Sequence, residues 1–91
     1  MIWHKKVIWK YVLGAEEVQT IKMPFGAMIL GVFVQRNQPV LYAMIDPRYE
    51  REAVEIYTFV TGQFAQLDSF RYIGTYLIHE ETFVGHVFTK A

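Results

Sequence analysis

The chain has 91 residues, 53% of them apolar and 16% aromatic, with no cysteine and nine cationic against nine anionic side chains. That length holds one domain, read as residues 1–91, and the low charge with high aromatic content is the opposite of the composition of a disordered chain. Zero net charge argues against a nucleic-acid polymer as partner, and the lack of cysteine removes disulfides, thiolate nucleophiles and Cys-type zinc sites.

Runs rich in Val, Ile, Thr, Phe and Tyr recur with turn signals between them, and no helical period is sustained. The first run, Val7 to Leu13, alternates Trp9, Tyr11 and Leu13 against Ile8, Lys10 and Val12, and Gly14 to Glu17 breaks it. A second strand, Val18 to Met23, sets Ile21 and Met23 opposite Thr20 and Lys22, and Pro24 with Gly26 ends it because proline lacks a ladder donor. Ala27 to Arg36 is apolar on both faces and reads as the centre of the sheet, covered on each side by another layer or another subunit. Asn37, Gln38 and Pro39 form the turn into a fourth strand, Val40 to Ile45.

Asp46 and Pro47 carry a helix-start signature ahead of the charged stretch Arg48 to Glu52, which fits one helical turn or an ordered loop. A fifth strand, Val54 to Thr61, turns Val54, Ile56, Thr58 and Val60 away from Glu55, Tyr57, Phe59 and Thr61, and Gly62 stops it. Gln63 to Phe70 reads as a loop or short helix with Ala65, Leu67 and Phe70 tucked inward. A last hairpin pairs Arg71 to Ile78 with Phe83 to Lys90 across His79 to Thr82, and Gly74 and Gly85 inside it mark a bulge or a close approach by another backbone. The expected fold is mainly β: a single small antiparallel sheet domain of about six to seven strands, a sandwich or partly open barrel, with at most one or two short helical turns.

A domain of this size hides only roughly 60 to 65% of its unfolded surface, so the apolar surplus points to a homo-oligomer. Charge is also uneven: Lys5, Lys6, Lys10, Lys22 and Arg36 outweigh Glu16 and Glu17 by three in residues 1–45, and the remainder carries minus three. The longest uncharged apolar run, Met23 to Val34, contains Pro24, Gly26 and Gly31 and is shorter than the roughly 20 residues of a membrane helix. Met1 to Lys10 lacks the apolar core and cleavage site of a secretory signal, so no membrane partner is expected and the expected location is cytoplasmic.

Catalytic chemistry finds little support. His4, His79 and His86 lack metal-ligand spacing, and mid-strand His86, on the face of Val84 and Phe88, reads as a hydrogen-bonded structural residue. Glu50, Glu52, Glu55, Glu80 and Glu81 fall in expected turns and loops as solvated charge, and Ser69 is the lone serine. No catalytic residue, metal or cofactor is expected, and the protein is read as a non-enzyme. The residues suited to a small ligand are Tyr42, Asp46, Arg48, Tyr57, Thr61, Gly62, Gln63 and Tyr72 at strand ends, with His86 as a strand-borne contact. Aromatic faces stack planar groups, Arg offers a fork to phosphate or carboxylate, and Thr61, Gly62 and Gln63 offer a hydroxyl, backbone amides and a side-chain amide.

Six blocks, IWKYVL (Ile8 to Leu13), VQTIKMPFGAMIL (Val18 to Leu30), PVLYAMIDP (Pro39 to Pro47), VTG (Val60 to Gly62), YIGT (Tyr72 to Thr75) and GHVF (Gly85 to Phe88), together resemble a family of short phage and prophage proteins, a domain of unknown function. The resemblance implies a phage origin and a shared fold, and none of its blocks is a catalytic motif. In that family tryptophan is common where Tyr42 stands and a G-T-G-H-like run where Val60 to Gln63 lies; Gln63 keeps hydrogen bonding there and loses protonation. By analogy with small phage proteins that sequester nucleotide signals of host defence, the expected function is non-enzymatic binding of a nucleotide-like molecule. The alternative is a protein–protein interaction module, an inhibitor or adaptor of a host or phage protein, acting through an apolar patch or sheet edge.

Overall fold

The computed structural model describes residues 5–90, and every regular element in that range is a β-strand: β1 (Val7–Val12), β2 (Val18–Pro24), β3 (Met28–Gln35), β4 (Gln38–Ile45), β5 (Arg51–Val60), β6 (Phe70–Ile78) and β7 (Phe83–Lys90). They form two antiparallel sheets, of order β1-β4-β3 and β2-β5-β7-β6, packed face to face without closing into a barrel. Alternation supplies the inward faces. Tyr11, Leu41 and Val32 stand side by side across the first sheet, as do Thr58, Val87 and Gly74 across the second. Leu13, Met23, Leu41, Ala43, Ile45, Ile56 and Val87 are at most 1% exposed and form the core between the sheets.

Two glycines in the last hairpin occupy close approaches, as their mid-strand positions imply. A Cβ on Gly74 would lie 2.7 Å from Cγ1 of Val32, where the two sheets touch, and one on Gly85 would lie 2.5 Å from Cζ of Tyr76, whose ring lies over the glycine. A bulge at Ile73, between Tyr72 and Gly74, resets the alternation of β6, and Leu30 does the same between Ile29 and Gly31 in β3.

The structure corrects the sequence reading in four places. The central strand of the three-stranded sheet is β4; β3 is an edge, and its second face is exposed at Met28, Leu30 and Phe33. Both strands are continuous apolar runs, so composition cannot rank them, and β4 takes the middle because β1 occupies its other side. The β3–β4 turn is the pair Arg36–Asn37, both at positive φ, while Gln38 and Pro39 already belong to β4. Strand β5 begins at Arg51, which pairs with Pro24, so Glu52 joins Glu55 as a strand residue and Asp46 to Glu50 is an ordered loop without helix. Residues 63–69 form no helix either, and Ala65 and Leu67 face solvent. Phe70 is half-buried, among the rings on the outer face of its sheet and away from the core.

The path of residues 61–69 follows from topology. Both neighbours of β7 run antiparallel to it, so β5 and β6 are parallel with β7 between them. The connection therefore returns along the length of the sheet before β6 begins at Phe70.

Candidate functional site

The outer face of the four-stranded sheet gathers aromatic side chains from three strands. Tyr57, Phe88 and Tyr72 stand in register across β5, β7 and β6. Phe70 reaches over β7 to place its ring 4.7 Å from Tyr57 in an edge-on contact, Phe59 lies 5.8 Å from Phe88, and Tyr72 lies 5.4 Å from Phe88. The Lys90 ammonium sits 5.9 Å over the Tyr57 ring, a cation on an aromatic face, and Tyr57 donates its hydroxyl to Glu55 at 3.0 Å.

Beside the rings runs a polar line. Thr61 Oγ1 is 2.7 Å from His86 Nε2, His86 Nδ1 is 3.0 Å from Thr75 Oγ1, and Thr75 Oγ1 is 2.6 Å from the Tyr72 hydroxyl. Phe59 and Thr75 flank His86 in register, which puts the imidazole on the outer face of β7 with a hydroxyl at each ring nitrogen. A catalytic triad would turn one of those nitrogens to a carboxylate; here both partners are threonines. The line offers donors and acceptors that can rotate to suit a ligand.

Gly62, at positive φ, and Gln63 close the end of β5 beside this line. Gln63 Oε1 accepts from the Val60 amide at 3.0 Å, and its side-chain amide contacts Glu17, so Gln63 caps the strand end. Tyr57, Tyr72 and His86 thus share one sheet, with Thr61, Gly62 and Gln63 in the turn at the end of β5.

Tyr42 and Arg48 do not join them, which corrects the expectation of a single cluster. Tyr42 lies on the outer face of the other sheet, 5.5 Å from Phe33, and Arg48 lies in the β4–β5 loop. There Asp46, 4% exposed, accepts from the Arg48 backbone amide at 3.0 Å and from its guanidinium at 3.0 and 2.7 Å. That hydrogen bonding and the adjacent negative charge raise the Arg48 pKa, so the guanidinium is committed to shaping the loop. Adjacency at strand ends carries no information about which sheet an end belongs to.

His79 lies in the β6–β7 turn, where the Asn37 carboxamide accepts from its backbone amide at 2.6 Å and contacts Nδ1 at 3.0 Å. The two hairpin turns are thereby tied across one end of the sandwich. His4 lies outside the described residues. Among the described residues no group of three or more His, Asp or Glu side chains comes together to hold a metal ion, and no helix is long and apolar enough to cross a membrane.

Sequence reading missed Thr75 and Arg71. The bulge at Ile73 gives Tyr72 and Thr75 the same face although they are three apart, and sends Arg71 and Gly74 to the other. Gly74 inside a strand pattern was the available signal.

Fold and surface define a small all-β domain, two antiparallel sheets with a half-exposed aromatic and hydroxyl face. Residues 4–91 match the family described as "Domain of unknown function (DUF7352)", and the chain belongs to that family. Comparisons with curated proteins and with solved structures found no match.

Proposed function

We propose that this protein is a non-enzymatic binding module whose working surface is the outer face of the four-stranded sheet, and that it holds a small nucleotide-like molecule there. One observation carries the reading: the line Thr61, His86, Thr75 and Tyr72 runs beside the rings of Phe59, Phe88 and Tyr72. Rings give a planar base a stacking surface, and the hydroxyls and imidazole give its edge hydrogen-bonding partners. In the setting that the sequence resemblance implies, a phage protein in the host cytoplasm, the ligand would be a nucleotide signal of host defence, sequestered and not turned over. Titration calorimetry and thermal shift across cyclic dinucleotides and ADP-ribose derivatives test this. Binding that His86→Ala weakens supports it, and no response to any of them overturns it.

A second reading rests on the other sheet. Ile8, Val12, Met28 and Phe33 are each more than half exposed on one outer face. Such a face suits a protein interface, with a second copy of this chain or a different protein. Light scattering giving a monomer mass at micromolar concentration would remove the self-association half of that reading. A stoichiometric protein partner, captured without a small molecule, would favour the interaction module over the binding protein.

A further inference from the structure

A different cleft opens where the sheets part beside their contact at Gly74 and Val32. It has a volume of about 370 Å³ and lies between the start of β3, the start of β6 and the end of β7. Both long walls are bulged at this level, β3 at Leu30 and β6 at Ile73, so each strand bends and re-aims its side chains beside the opening. The lining is apolar along Met28, Ile29 and Ile73.

Its charge is one-sided. Arg71 lines it, with no acidic residue among the lining side chains, and Lys90 borders it while turning its ammonium to the Tyr57 ring on the outer face. Arg71 pairs with Thr89, which pairs in turn with fully buried Ile56, so Arg71 springs from the core-facing side of β6. Among the described residues the one salt bridge is between Arg48 and Asp46, and Arg71 has no carboxylate partner. An exposed guanidinium rooted on the inner side of its sheet, with no carboxylate partner among the described residues and beside apolar walls, matches an oxyanion through its planar fork.

We propose that this cleft binds a small organic anion, with its phosphate or carboxylate on Arg71 and its apolar body against Ile29 and Ile73. The volume falls within the range of small-molecule pockets. The site is separate from the His86 line and does not depend on it. The alternative role for Arg71 is to guard the edge strand β6, since inward-pointing charges keep exposed edges from pairing.

Amide shifts in NMR spectra of the full chain, titrated with phenyl phosphate, benzoate and uncharged benzyl alcohol, decide between them. The expected result is saturable shifts at residues 27–30 and 71–73 with either anion, weaker with the alcohol. Arg71→Gln should weaken binding roughly tenfold or more, the usual worth of a charged hydrogen bond. Arg71→Lys, which keeps charge and loses the fork, should fall between, and it carries the test if Arg71→Gln fails to fold. Arg36→Gln removes a distant arginine and should leave the shifts unchanged. No saturable shift at about 10 mM, equal response to the alcohol, or equal loss in Arg36→Gln would overturn the proposal and leave Arg71 as an edge guard.

Discussion

Gly85→Ala gives the sharpest test of how the second sheet is packed. The added methyl would lie 2.5 Å from Cζ, 2.6 Å from Cε1 and 2.7 Å from the hydroxyl of Tyr76, far inside van der Waals contact. Tyr76 has little room to yield, being 3% exposed and stacked on Phe83 at 6.0 Å. Overpacking of this kind costs about 1 to 3 kcal/mol, which for a domain of this size lowers Tm by roughly 4 to 8 °C per kcal/mol. Urea and thermal unfolding of the single variant measure it. The double variant Gly85→Ala with Tyr76→Leu removes the obstructing ring, so it should be less destabilised than the two single changes added together. A Gly85→Ala protein within about 0.5 kcal/mol of the parent, or additive losses in the double variant, would refute the argument.

Burial raises the pKa of Tyr76 above its ordinary value of 10.0, so the folded state holds its proton longer than the unfolded state does. This contribution is complete below the unfolded pKa and is lost as pH rises through the folded one; Tm should therefore fall above pH about 10, less steeply in Tyr76→Phe. Asp46→Ala should lower Tm more than Arg48→Ala, because the carboxylate accepts from the loop backbone as well as from the guanidinium. Asn37→Gly keeps the left-handed turn and deletes both contacts to His79, so hydrogen exchange should quicken at the His79 amide, with the β1 to β4 pairing unaffected.

Period-two alternation was legible wherever one face of a strand meets the core. In β1, Trp9 and Tyr11 turn inward and Ile8 and Val12 outward, and in β5, Ile56 and Thr58 turn inward, as the residues alone imply. Ranking β3 against β4 was not legible, because both are apolar throughout and the choice depends on β1, about 30 residues away in sequence and adjacent only in space. The candidate site divided along the same line. Thr61 and His86 could be proposed from residue type, but that they touch depends on β5 pairing with β7, and that Tyr42 and Arg48 stand apart depends on β4 joining the other sheet. Thr75 and Arg71 were hidden by one extra residue at Ile73, since a bulge exchanges the two faces of everything before it.

The place of β7 between β5 and β6 also orders events during synthesis. β5 and β6 emerge from the ribosome earlier, yet they are not neighbours in the sheet, and each pairs with β7. While β7 is still in the exit tunnel, β6 can lean on the growing sandwich through β3, β4 and the contact of Phe70 with Tyr57, and the rings of Tyr57, Phe70 and Tyr72 lack the Phe88 around which they assemble. The nascent chain therefore carries exposed strand edges and aromatic surface until its seventh strand pairs with β5 and β6, the interval in which wrong pairings compete. His86 arrives in that same step, so the candidate binding face and the completed sheet come into being together.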